Sequence, residues 1–304
     1  MGDKTEQVSL WSTFENLVND AEKRFFDHDF KGALKLWQEY ARITGAQNWL
    51  RIYEELNYLV QEYQAANLKE AGEIFEEWLR LRNKLKHNQL SSYAFHIFEK
   101  LYARQFLAGK QVVSFDLATG IFCFIDKRYD KAKENLNVVL NHQPDNLLGR
   151  IFLSKSCFAL NEDDKGIAYL TQAMFLGGNE ILQDDVGSMQ LRNLFGKLKS
   201  MHGKGEVGVW LVPFEAWFRN WLVWIEDITF FQVMQQKERN ERILQVKYYA
   251  SEKYRHFIRC LFIAEYVRQF LPKEKGIIWE QEAYMEKLDN NLYERYRKKR
   301  KPVA

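Results

Sequence analysis

Six histidines and three cysteines are the residues of this 304-residue chain best suited to metal or nucleophilic chemistry, and their spacing supports neither. A helix-borne zinc site needs two histidines four residues apart with a carboxylate base between them. His28, His87, His96, His142, His202 and His256 contain no such pair and read as surface or capping groups. Cys123, Cys157 and Cys260 form no Cys-x-x-Cys pair and sit inside apolar runs, which is the setting of buried, reduced thiols. A phosphate loop would place its second glycine five residues after the first. Gly196 and Gly203-Lys204 are seven apart, and Gly205 stands where a magnesium-binding hydroxyl is needed. The adjacent carboxylates Asp184-Asp185 and Glu226-Asp227 would point roughly 100° apart on a helix and cannot converge for acid–base work. There is no Gly-x-Ser-x-Gly elbow. The sequence therefore assigns no catalytic, cofactor-binding or metal-binding residue, and the chain reads as non-enzymatic.

What remains is architecture. With 46% hydrophobic and 28% charged residues, four prolines and sixteen glycines, the composition is that of a globular protein. The length exceeds one ordinary core and suits two cooperating helical units or one long array. The net charge is +3, but Arg295, Arg297, Lys298, Lys299, Arg300 and Lys301 crowd the last ten residues, and removing those six leaves −3. A polyanion-binding role, toward nucleic acid or an anionic membrane, would rest on that tail alone. The start MGDKTEQVSL has no basic segment followed by an apolar run, and Glu6 stands where a myristoylation signal needs Ser or Thr. The most apolar stretch, Val207 to Met234, is broken by Glu215, Arg219, Glu226 and Asp227, which are costly in hydrocarbon. A cytoplasmic location is expected.

Apolar residues recur at three and four, the helical period, and alternation is rare. Leu10, Phe14, Leu17, Val18, Ala21 and Phe25 stripe a first helix; Ala33, Leu34, Trp37 and Tyr40 stripe a second that Gly45 stops. Trp49, Tyr53, Leu56, Leu59, Val60 and Tyr63 then face Ala71, Ile74, Phe75, Trp78 and Leu81, with Asn67 as the break. Further along, Val113–Asn146 and Leu147–Glu180 superpose at a shift of 34 residues, matching Gly120 to Ser154, Cys123 to Cys157, Ala132 to Gly166 and Leu136 to Leu170.

A small residue, a large one four later, another seven later and a helix stop twelve later occurs four times: Ala33, Trp37, Tyr40, Gly45; Ala71, Phe75, Trp78, Asn83; Ala132, Leu136, Val139, Pro144; Gly166, Leu170, Ala173, Gly178. This order resembles the second helix of a tetratricopeptide repeat, over about residues 10–180, and the Lys127–Ala132 turn is similar to that family's inter-helix turn. Spacings between the small residues are 38, 61 and 34, so the array is irregular, and the 61 leaves room for an extra helix near Ser91–Leu107. The resemblance implies an all-α solenoid of antiparallel helix pairs, a right-handed superhelix, whose product is a binding surface.

Beyond Gly178 the period is lost. One helix is expected over 181–202, then a linker at His202–Gly208, a Trp-rich helix beginning at Pro213, a long helix over about 238–270 and a last one over about 277–297. The expected domains are 1–202, the repeat array, and 203–304, an all-helical extension ending in the basic tail.

The leading helix of the best unit, Val112–Ile125, carries a single charge, Asp116, so it must be covered on more than one side. In the resembled family such helices line a concave groove. Here that groove would present Leu117, Ile121, Phe124, Leu148, Ile151, Lys155 and Phe158. Two covers fit: the chain's own helix from Pro213, or an amphipathic helix or extended peptide of another protein. Some family members clamp a partner's terminal carboxylate with paired Lys, Arg and Asn; with Lys155 alone, no such clamp is expected. Repeats of this kind also form homo-oligomers through end helices. The tail has two readings, a frayed helix end in solvent or a phosphate-binding segment.

Overall fold

Asp29 starts a helix by accepting the N–H of Gly32 at 2.9 Å, Asp116 does the same with Thr119 at 2.6 Å, and Asn146 with Gly149 at 2.9 Å. Each cap opens a helix, and this device recurs along the chain. The computed structural model describes residues 4–68, 70–109, 116–201, 206–243 and 250–300. Among them there are fifteen α-helices, two short 3-10 turns and no strand. The fold class is all-α, as expected, with sequence-adjacent helices packed pairwise.

The chain divides into two compact units, Met1–Val113 and Ser114–Ala304. In the first, α1 (Lys4–Phe26), α2 (Phe30–Thr44) and α3 (Gln47–Ala66) pack in succession, while α5 (Ser92–Gly109) lies against both α3 and α4 (Ala71–Lys86). The expected extra helix is α5, and it is the heart of this unit. Phe98 meets Phe25 edge-on at 5.2 Å and Tyr63 at 6.3 Å; Phe95 approaches Trp78 at 6.4 Å; Tyr93 accepts the indole N–H of Trp37 at 3.2 Å. α3 and α4 do not close on each other as the expected hairpin does. Glu62 bridges them, 2.8 Å from Arg80 and 3.4 Å from Lys84, while α4 packs on α5 and α3 packs mainly on α2 and reaches α5.

The second unit begins with two hairpins, α6 (Leu117–Ile125) with α7 (Tyr129–His142) and α8 (Leu147–Ala159) with α9 (Asp163–Gly177). α7 packs on α8, and α6 also reaches α8, so the hairpins stack side by side. Small residues permit the close approach. A Cβ built on Gly120 would sit 2.7 Å from Leu136, and one on Gly166 2.9 Å from Phe158. Ser154, which the 34-residue shift matches to Gly120, donates its hydroxyl to the carbonyl of Gly166 at 2.7 Å.

Two 3-10 turns (178–180 and 183–185) and α10 (Met189–Met201) replace the single helix expected over 181–202. α11 (Glu206–Phe218) runs through Pro213 instead of starting there. Pro inside a helix costs about 3 kcal/mol. Val209, Trp210, Val212, Phe214 and Trp217 are all buried in return, at roughly 1.5–3 kcal/mol per large side chain. Trp221, Trp224 and Ile225 lie in the non-helical stretch 221–227. There Trp224 packs on Phe175 at 5.6 Å and on Phe262 at 5.7 Å. The long helix expected over 238–270 is two, α12 (Ile228–Ile243) and α13 (Ala250–Phe270), and the last is two, α14 (Lys275–Leu288) and α15 (Asn290–Arg300). Asp289 makes the second break by capping Leu292 N–H at 3.0 Å. α13 is buried continuously from His256 to Val267 and packs on α9, α11, α12 and α14. By compactness, then, the division falls at 113/114 and not at the expected 202/203, because α11 and α13 bury themselves against α9.

Candidate binding surfaces

The wall expected to line a groove is largely closed by the chain itself. Ile121 and Ile151 are fully buried; Leu117, Phe124, Leu148 and Phe158 are half-buried. Lys155 stands 5.2 Å above the ring of Phe124 and 4.9 Å above Phe152, and its ammonium is 3.4 Å from Asp185. Asp185 is itself buried and accepts the N–H of Leu182 at 2.9 Å. A Cβ on Gly187 would lie 2.2 Å from Phe158, so the backbone there rests on that ring. The cover over Phe158 and Lys155 is therefore the 182–187 turn. The Trp-rich helix α11, one of the two covers the sequence allowed, packs on α9, α10 and α13 instead.

The basic tail is docked, which corrects the expectation of a frayed end. Arg295 pairs with Glu215 at 2.7 Å and stacks on Phe214 at 4.9 Å. Lys299 donates to the carbonyl of Trp217 and, at 2.9 Å, to Asn220, and lies 4.2 Å above the Trp217 ring; burial pulls its pKa down. Arg300 pairs with Glu265, a buried carboxylate that also accepts the indole N–H of Trp217 at 2.9 Å and the phenol of buried Tyr296 at 3.1 Å. Arg297 pairs with Glu294 at 3.4 Å, Lys298 is exposed, and Lys301 lies outside the described residues.

Two buried polar networks escaped sequence reasoning. Arg150, within the apolar helix α8, is 1% exposed. It donates to the carbonyl of Pro144 at 2.8 Å and to Gln172, approaches Asp227 at 3.4 Å and stacks 3.9 Å from the Phe230 ring. Burial lowers its pKa while the charge of Asp227 opposes the shift. It thereby ties α8 and α9 to the start of α12. The second network corrects the reading of His256 as a surface or capping group. His256 is buried with Nδ1 3.1 Å from Glu238 and Nε2 3.6 Å from Glu241. Cys260, one turn on, approaches Glu238 at 3.6 Å, and Arg242 joins Glu238, Glu280 and Gln281 at 3.2, 2.7 and 2.6 Å. Burial pushes the Cys260 thiol far up, so it stays protonated, and the imidazole is turned onto carboxylates within the α12–α13–α14 interface. The four-residue spacing of His256 and Cys260 on one helix face was the available signal. Among the described residues no group of His, Cys, Asp and Glu is placed to hold a metal ion.

An open surface lies elsewhere, in the first unit. Between α2 and α3 run two adjoining clefts of about 540 and 330 Å³ that share Lys35 and Gln38. One wall is Lys31, Lys35, Gln38 and Arg42 of α2, with Glu39 beside them. The other is Leu50, Tyr53, Asn57, Gln61 and Gln64 of α3, over a floor of Leu34 and Val60. Positions 31, 35, 38 and 42 share one helical stripe, turned away from the buried Ala33 and Trp37, and that polar spacing was the available sequence signal.

These features define an all-α protein of stacked helical hairpins whose buried charges serve to join its helices. No protein family, curated protein or solved structure matches the chain.

Proposed function

We propose that this chain is a non-enzymatic interaction protein, an adaptor or scaffold whose hairpins are of the tetratricopeptide type and whose recognition surface is the α2–α3 cleft. The observation that carries this reading is the contrast between two walls. The α8 side of that apolar wall, at Lys155 and Phe158, is covered by the chain's own 182–187 turn, whereas the α2–α3 cleft is open and lined by Lys31, Lys35, Arg42 and amide side chains that make no hydrogen bond or ion pair among the described residues. The recognition surface thus moves from Leu117–Phe158 to the first unit. The tetratricopeptide assignment draws support from the stacked α6–α7 and α8–α9 pairs and their small-residue contacts. A cytoplasmic setting fits three buried, unpaired cysteines, and among the described residues no helix is long and apolar enough to cross a membrane. The alternative, RNA or anionic membrane held by the basic tail, draws little support from α15, where Arg295, Lys299 and Arg300 are engaged with Glu215, Trp217 and Glu265.

Quantitative capture from native lysate tests the reading. The intact protein and Lys35→Glu/Arg42→Glu, both verified as folded, should retain different sets of proteins. Identical sets would remove the cleft as the recognition surface.

A further inference from the structure

Resting on that interaction reading, we infer that the α2–α3 cleft takes a short extended peptide segment bearing acidic side chains at alternate positions. Charge complementarity is the first argument. Lys31, Lys35 and Arg42 line the cleft without an ion pair among the described residues, and Glu39 is the one acid beside them. Several cations elsewhere in the same unit are engaged: Arg51 with Glu55 at 2.8 Å, Arg80 with Glu62 and Glu77 at 2.8 and 2.5 Å, Lys84 with Glu62 at 3.4 Å. The acid nearest in sequence to Lys31, Asp29, already caps Gly32 and pairs with Arg24 at 3.1 Å.

Spacing is the second. Lys31 and Lys35 are one helical turn apart, about 6 Å of rise. Side chains on one side of an extended chain recur every two residues, about 6.6 Å. The stripe from 31 to 42 is about 16 Å long, which spans roughly five extended residues.

The opposite wall supplies the third. Asn57, Gln61 and Gln64, with Gln38 facing them, make no hydrogen bond among the described residues, and each amide offers both a donor and an acceptor to a main chain. Single-stranded RNA also repeats its charge at this scale, but it binds through exposed aromatic platforms, and of the two aromatic residues lining the cleft, Tyr53 and Phe30, the latter is buried.

The test is a fluorescence-anisotropy titration of the full chain with a labelled ten-residue peptide, C-terminally amidated, carrying Asp at alternate positions and Thr between. Saturable binding is expected, weakened about tenfold or more by Lys35→Glu/Arg42→Glu and less by Gln61→Ala/Gln64→Ala, with circular dichroism melting unchanged. The same peptide with Asn for Asp should not bind. Equal binding by the charge-reversed protein, equal binding of the Asn peptide, or tighter cleft-dependent binding of a ten-nucleotide oligouridine would overturn the inference. The two readings fail separately. Cleft-dependent capture from lysate with no acidic-peptide binding sinks only the peptide class, whereas capture indifferent to charge reversal sinks the interaction surface itself.

Discussion

Lys127 and Asn161 stand 34 residues apart and hold the same left-handed backbone, with φ of 63° and 60°. Each closes its leading helix with the same pair of bonds. Lys127 and Arg128 donate to Phe124 and Cys123 at 2.9 and 2.8 Å; Asn161 and Glu162 donate to Phe158 and Cys157 at 3.1 and 2.8 Å. His28, with φ 62°, does the same between α1 and α2, bonding Phe25 at 3.1 Å while Asp29 bonds Arg24 at 2.9 Å. The three hairpins are thus turned by one device.

Left-handed backbone costs an ordinary L-residue about 1 kcal/mol, and less for Asn, whose short polar side chain tolerates it. Lys127→Gly should therefore stabilise the protein by up to about 1 kcal/mol in urea denaturation, and Asn161→Gly by only a few tenths. A loss of stability at Lys127→Gly would mean that the lysine side chain, not the backbone, is what the turn needs.

How much of this was legible follows from where the signal lies. Helices α2, α7 and α9 were readable because their small-and-large order is a local consequence of packing on one partner: Ala33 and Trp37, Ala132 and Leu136, Gly166 and Leu170 are all buried as that order requires. The breaks at 181–188 and at Asp289 were not, because a 3-10 turn and a single capping carboxylate leave no periodic trace. Pro213 misled because its local cost is outweighed by tertiary burial of Val209 and Trp210. The groove misled for a different reason. An apolar helix declares that it is covered, but the cover, Asp185 on Lys155 and Gly187 on Phe158, comes from a segment with no helical pattern.

Arg150 is the chief polar tie between the hairpins and the helices that follow. Arg150→Met should cost about 2–4 kcal/mol, since it strips Gln172, Asp227 and the Pro144 carbonyl of a donor. Arg150→Lys should recover little, because one ammonium cannot reach three acceptors set in the fork of a guanidinium. Combining Arg150→Met with Asp227→Asn should cost less than the two singly added. Full additivity in that cycle would show that the pair does not interact.

Burial raises all three thiols, Cys157 to about 11, so at pH 8 none carries much thiolate. Thiol-reactive disulfide reagent at pH 8 should label the native protein slowly and reach three equivalents only on unfolding. The sign of the linked stability follows. A folded pKa above the unfolded value of about 8.5 means the folded state holds its proton more tightly. That contribution is complete below pH 8.5 and is lost as pH rises through the folded value, so the melting temperature should fall above about pH 9. Rapid labelling of the native protein at pH 8 would contradict the burial.

The most direct measurement is site-specific photo-crosslinking in native lysate. A photoreactive residue at position 61, inside the α2–α3 cleft, should capture discrete partners, and Lys35→Glu/Arg42→Glu should abolish them. The same residue at position 279, where Trp279 is 67% exposed on α14, should capture none of those partners. Equal capture from both positions, or capture at 61 that survives charge reversal, would contradict the claim that this protein acts through that cleft.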